Sequence, residues 1–276
     1  MRKKIFFSLI VVVVLGFFSV TLFKSQRVKS QEEKVIRIGI LRVPNDVAAA
    51  RERNKLAAIE KDTGYKIKYY TFDSGVDANK ALMSNSIDMA TMGHTNAVVA
   101  MSANLPVKLV WVNDVIGNNE QLVVKKSAKV NSINDLKGKT IATPFASTSH
   151  YSLMMFLQAH KLLNQVKLVD MQTTEIVAAW RRGDIDAAYT WEPSLSNLND
   201  AKTITSSKKM AASNYLTANV TLATNQFRNK HPELLTKCLT ILGKEHRYYN
   251  QNPEQTYQLT GRYLDISSTE AKKPGW

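Results

Sequence analysis

A chain of 276 residues, 44% hydrophobic and 22% charged, has the composition of a globular protein with one large or two small domains. Its net charge of +14 is uneven: residues 1–30 hold six Lys/Arg and no acid, which leaves +8 for the remainder. The remaining basic residues, such as Lys66, Lys68, Lys125, Lys126, Lys208 and Lys209, form no stripe interleaved with aromatics, which excludes a nucleic-acid partner, and a single cysteine excludes an internal disulfide.

The first element is an apolar run from Ile5 to Phe23, preceded by Arg2, Lys3 and Lys4. Its 19 residues exceed a usual signal core and can span a bilayer, with the basic end held on the cytoplasmic side. No small-x-small cleavage site is clear near Val20–Ser25, so an uncleaved anchor is expected, with a removed signal as the alternative. Either way the protein is expected to be exported to the periplasm or cell surface. With no Cys in this region, a lipid tether is excluded.

Residues 24–34 are polar and read as a spacer. Val35–Ile40 alternates as a first strand, and the stretch from Asp46 to Thr63 has helical composition that Gly64 stops. Tyr65–Phe72 reads as a strand, Asp73-Ser74-Gly75 as a turn, and Ala78, Ala81 and Leu82 as a helix face. A strand-like run at Ile87–Thr91 leads to a helix at Asn96–Ala103 and a strand at Leu105–Val112.

Gln121–Lys125 reads as an extended crossing segment, after which the rhythm restarts. It gives a short capped helix at Ser132–Leu136, a strand at Gly138–Ala142, a helix at Thr148–Leu162 and a strand at Val166–Met171. A helix at Thr174–Arg182 and a strand at Asp186–Trp191 follow; Asn219–Ala223 reads as a return crossing, and the chain is helical from His231. Cys238 sits in the pattern Leu234, Leu235, Cys238, Leu239, Ile241, Leu242 and reads as a buried helix side chain rather than a nucleophile. This alternation predicts an α/β protein with helix-covered, largely parallel sheets in two lobes joined by two crossings.

The stretch with the most chemistry is Thr143-Pro144-Phe145-Ala146-Ser147-Thr148-Ser149-His150-Tyr151, a strand end, a turn and a helix start crowded with hydroxyls. One hydroxyl caps a helix; the rest, with the amides and dipole of the helix start, make a natural anion site. Gly93-His94-Thr95-Asn96 follows its own strand in the same way, so two polar helix starts are expected to flank one cleft. Asn118, Asn119 and Glu120 at the crossing and Trp191-Glu192 at a strand end add hydrogen bonds, a carboxylate for an amine and an aromatic wall. The five histidines lack metal-site spacing, and no phosphate loop, HExxH, CxxC or GxSxG occurs, so no metal, cofactor or catalytic residue is predicted.

Phe72-Asp73-Ser74-Gly75, Pro144–Leu153 and Ala178–Pro193 resemble the taurine-binding proteins of sulfonate-importing ABC transporters, whose wider relatives bind alkanesulfonates, nitrate or thiamin-precursor pyrimidines. The similarity runs from about Val35 to Pro232. It implies a two-lobed, type II periplasmic-binding-protein fold with a hinge: residues 35–120 and 219–276 form lobe 1 and residues 121–218 lobe 2, after a leader and spacer at 1–34. It implies a ligand site at Gly93, His94, Thr95, Glu120, Ser147, Thr148, Ser149, His150, Tyr151, Trp191, Glu192 and Asn219.

Two departures from the family stand out. Asn219 replaces an acid, removing a partner for an ammonium unless Glu120 or Glu192 takes that role. The family also continues for several helices beyond the position of Trp276, so lobe 1 is expected to be truncated. The function expected is a monomeric, extracytoplasmic subunit of an ABC importer. It would capture taurine or a similar short anionic or zwitterionic sulfonate and deliver it to a membrane permease. The alternatives are a nitrate or pyrimidine binder, or an exported enzyme similar to the pyrimidine synthases.

Overall fold

The computed structural model describes residues 33–267 and Ala271, so the expected leader, nearly all of the spacer and the last five residues lie outside the described residues. The chain divides between Lys34 and Val35, and the fold belongs to the second unit. No helix among the described residues is long and apolar enough to cross a membrane.

The first sheet begins with β1 (Val35–Leu41), which pairs in parallel with β2 (Lys66–Phe72) and β3 (Met89–Gly93). Between β1 and β2 lie α1 (Asp46–Glu52) and α2 (Ala57–Thr63), where a single helix is predicted from the sequence. The expected helix is broken because Asn54 takes a left-handed φ of 50°, and Gly64 ends the second piece in the same conformation, at φ 74°. Next come α3 (Gly75–Met83), α4 (His94–Ser102) and β4 (Val107–Val115). The sheet is completed from far along the chain by β10 (Ala218–Thr224), in the order β2-β1-β3-β10-β4.

All seven residues of β10 are buried, and its two neighbours are β3 and β4. A polar chain holds this centre together. Asp46 accepts from Trp111 Nε1 at 2.8 Å and Asn113 Nδ2 at 2.6 Å, Thr221 donates to Asn113 at 2.9 Å, and Thr91 lies 3.1 Å from the Thr221 hydroxyl. Each group in the chain has a partner, which is the condition for burying it at modest cost.

The second sheet has the order β7-β6-β8-β5-β9. It contains β5 (Glu120–Lys125), β6 (Thr140–Thr143), β7 (Lys167–Asp170), β8 (Ala187–Trp191) and β9 (Ala201–Ser206). Its helices are α5 (Thr148–Ala159), α6 (Thr173–Arg182) and α7 (Ser207–Ala212). The strand β9 and helix α7 are not anticipated by the sequence reading.

Four of the five strands in each sheet run the same way, and one reversed strand makes each sheet mixed. The strands expected as crossings, β5 and β10, are full members of their sheets and run antiparallel to both neighbours. They enter from the other sheet, so they escape the strand-helix-strand rule that makes consecutive neighbours parallel.

Each sheet buries apolar side chains on both faces. The chain ends, among the described residues, with α8 (Asn225–Lys230), α9 (Pro232–Gln251) and α10 (Pro253–Leu264), the last two opening on proline where no amide partner is lost. Cys238 is wholly buried on α9 within the first sheet's core, and burial pushes its thiol up to about 12.

Candidate ligand-binding cleft

Three parallel strands end at the mouth of one cleft, and each hands over there to a helix. After β2, Ser74 caps α3 by accepting from the Asp77 amide at 3.2 Å. After β3, α4 starts at Gly93 with no side-chain cap. After β6, Ser147 caps α5 by accepting from the His150 amide at 3.1 Å and donates to the Pro144 carbonyl at 2.5 Å. The first amides of a helix lack intrahelical acceptors and carry the positive end of its dipole, so three such starts facing one space make it electropositive.

The cleft is narrow, with a solvent-accessible volume of about 40 Å³. Of the residues expected from the sequence, Gly93, Glu120, Ser147, Thr148, Trp191 and Asn219 line it. Asn119 joins them, and Leu41, Val43, Ile116 and Phe145 supply apolar wall. Ser74, Gly75 and Val76 also line it; the sequence reading took Asp73-Ser74-Gly75 as a turn and as part of the family resemblance but not as site residues, although Ser74 before a helix carries the same signature as Ser147.

Close approach explains two glycines. A Cβ on Gly93 would lie 2.8 Å from the Thr148 methyl, so the starts of α4 and α5, which follow strands of different sheets, are in contact. A Cβ on Gly75 would collide with the Asn96 side chain. Thr95 strengthens the contact by donating to the Ala146 carbonyl at 3.0 Å.

Glu120 is the most heavily coordinated polar group in the cleft. Its Oε1 accepts from Thr148 at 2.7 Å and Ser149 at 2.5 Å, and its Oε2 accepts from Ser207 at 2.7 Å. Burial drives its pKa up, and these hydroxyls pull it back. Because Thr148 and Ser149 spend their protons on Glu120, and Ser147 spends its own on Pro144, none of the three hydroxyls expected to bind an anion has a proton to spare. The donors left at this helix start are its amides.

The other expected residues lie outside the cleft lining. His94 Nδ1 accepts from the Ala218 amide at 3.3 Å, its ring meets Tyr151 edge-on at 5.8 Å, and burial lowers its pKa. His150 stacks on Phe145 at 4.5 Å and accepts from the Ala146 amide at 3.3 Å; its pKa is likewise lowered by burial. Ser149 lies behind Thr148 and is fully buried. Glu192 accepts from the Ser196 amide at 2.9 Å and hydroxyl at 2.8 Å, away from the cleft lining.

Residues 54–244 match the family model for the substrate-binding domain of the ABC-type glycine betaine transport system. Over 196 residues the chain is 35% identical to the taurine-binding periplasmic protein of Escherichia coli (strain K12), covering 70% of this chain and 61% of that one. The chain belongs to the family of ABC-transporter substrate-binding domains that this model describes.

The fold matches that of the alkanesulfonate-binding protein of Xanthomonas axonopodis pv. citri, solved bound to MOPS. The TM-score is 0.74 at 18% identity, over 88% of this chain and 84% of that one. A desulfurization enzyme, DSZB, has a similar fold with a TM-score of 0.63 at 14% identity, over 88% of this chain and 84% of that one. The chain spans about 61% of the length of its taurine-binding relative. As a member of this family it has the two-sheet α/β architecture of the solved sulfonate binders.

Proposed function

We propose that this chain is the extracytoplasmic solute-capturing subunit of an ABC importer and that its solute is taurine or a similarly short zwitterionic sulfonate. The observation that carries the reading is the meeting of three helix starts and one buried carboxylate in a single small cleft. Helix-start amides bind a sulfonate without any positively charged side chain. Glu120 is a carboxylate in the cleft lining, and a carboxylate is the natural partner for an ammonium. Trp191, also in the lining, is the side chain proposed to cover the short alkyl chain between the two ends.

No bond is broken in this reading. A solute touching both lobes favours the closed arrangement over the open one by the contacts it gains only on closure, and the closed surface is what a membrane permease recognises. Nitrate has no donor to offer Glu120, which sets it below taurine. A nucleophilic enzyme is disfavoured by Cys238, whose thiol is buried in the first sheet's core and not in the cleft.

Calorimetric titration of the full-length chain with taurine, ethanesulfonate, sulfate and nitrate tests the proposal. Taurine is expected to bind with Kd of about 10 µM or lower, on the order of −7 kcal/mol, and more tightly than the other three. Absence of sulfonate binding, or turnover of any of the four, would overturn it.

A further inference from the structure

Where its relatives in this family are expected to carry an acid, this chain has Asn219, and the structure supplies a carboxylate one strand away. Asn219 on β10 faces Gly93 of β3 on one side and Asp114 of β4 on the other. Its Nδ2 donates to Asp114 Oδ1 at 2.8 Å, and its main-chain amide also donates to that carboxylate. A side-chain amide has one donating end and one accepting end, and a carboxylate only accepts. With its nitrogen end turned to Asp114, the opposite end of the Asn219 side chain is its carbonyl oxygen, and Asn219 lines the cleft. Asn219 is 6% exposed and wedged between two strands, so the amide is held in this sense.

We propose that Asp114 is a positioning residue: by holding the Asn219 amide it turns the Asn219 carbonyl toward the solute as an acceptor for an ammonium group. Together the pair selects zwitterionic sulfonates over plain anions. The inference rests on the sulfonate reading above.

The charge state of Asp114 follows from its surroundings. Burial is the largest influence raising its pKa; Asp46 on α1 and Glu120 on β5 push it the same way, the two Asn219 bonds oppose them, and the group settles at about 7. Tyr249 on α9 and Lys208 on α7 share the crevice behind it, and His246 lies 3.5 Å from Asp46. Around neutrality, therefore, the carboxyl gains and loses the charge that fixes the amide, while the ammonium of taurine stays protonated.

The test measures taurine and ethanesulfonate affinities of the full-length chain at pH 6, 7 and 8, since the two ligands differ at the amine. The wild-type preference for taurine is expected to grow several-fold from pH 6 to pH 8. In Asp114→Ala the preference falls about tenfold, the size of one hydrogen bond to a charged group, through taurine alone and without pH dependence. Asp114→Asn, which keeps the shape, is expected to show the same flat profile, and Asn219→Ala to lose the preference as Asp114→Ala does.

A variant that weakens both ligands equally, or that keeps the wild-type preference and its pH profile, overturns the inference while leaving the sulfonate reading in place. Failure of the wild-type chain to bind either sulfonate overturns both.

Discussion

The two helix starts that meet across the cleft are opposites in composition. The start of α5 carries three consecutive hydroxyls, and each donates on the second sheet's side of the cleft: Ser147 to Pro144, Thr148 and Ser149 to Glu120 at the head of β5. The start of α4 carries Gly93 in the cap position with no side-chain cap. The lobe that looks richer in donors has spent its hydroxyls on internal structure, and both lobes are left to meet a ligand with main-chain amides. Hydroxyl-rich sequence therefore marks a rigid, buried carboxylate here, and the bare glycine marks close approach of the lobes.

The largest effect that would break this contrast is expected at Glu120. In Glu120→Leu, the Thr148, Ser149 and Ser207 hydroxyls lose their acceptor inside the protein, at a cost of about 3 kcal/mol or more. The melting temperature should fall by roughly 10 °C in differential scanning calorimetry. An unchanged melting temperature would mean that the hydroxyls find other partners and that the cluster is not what orders this lobe.

Gly93→Ala sharpens the other side of the contrast. The added methyl meets the Thr148 methyl, so closure and ligand affinity should suffer by about 1–3 kcal/mol while the ligand-free melting temperature moves little. Thr148→Ser, which removes the opposing methyl and keeps the hydroxyl for Glu120, should restore affinity in the double variant. Failure of that rescue would place the cost at Asn96, whose Oδ1 would lie 3.5 Å from the same Cβ, rather than at Thr148.

Asp114 bears on stability as well as selectivity. Its pKa is raised to about 7, so the folded state binds a proton that the unfolded chain has already released. Stability is fully present below the unfolded carboxyl's range, near pH 4, and declines as pH rises toward 7. The loss is on the order of 4 kcal/mol, and urea denaturation of Asp114→Asn between pH 4 and 8 should show it removed.

What the sequence makes legible follows from the range over which each signal acts. The strand-then-helix-start rhythm is local, and it located the starts at Gly93 and Ser147 and the buried face that holds Cys238. The start at Ser74 was equally local and was passed over because Asp73-Ser74-Gly75 also reads as a turn. The strand directions of β5 and β10 were not legible, because they depend on which sheet receives a crossing chain. Nor was the spending of hydroxyls on Glu120, whose partners lie 28, 29 and 87 residues away. The Asp114–Asn219 pair, 105 residues apart, is hidden for the same reason.

The smallest expected effect belongs to the cap. Ser147→Ala removes the acceptor for the His150 amide and should cost about 1 kcal/mol of stability by chemical denaturation. Taurine affinity is expected to change less than twofold, because that hydroxyl donates to Pro144 and not to solute. A larger loss of affinity than of stability would return Ser147 to the ligand.

The most direct test of the central claim is a crystal structure of the chain with taurine. The account predicts sulfonate oxygens about 2.7–3.2 Å from main-chain amides at the starts of α3, α4 or α5, with Thr148 and Ser149 still donating to Glu120 and the amine directed at Glu120 and the Asn219 carbonyl. A sulfonate held by the Thr148 and Ser149 hydroxyls, with Glu120 released, or a taurine bound outside this cleft, would contradict it.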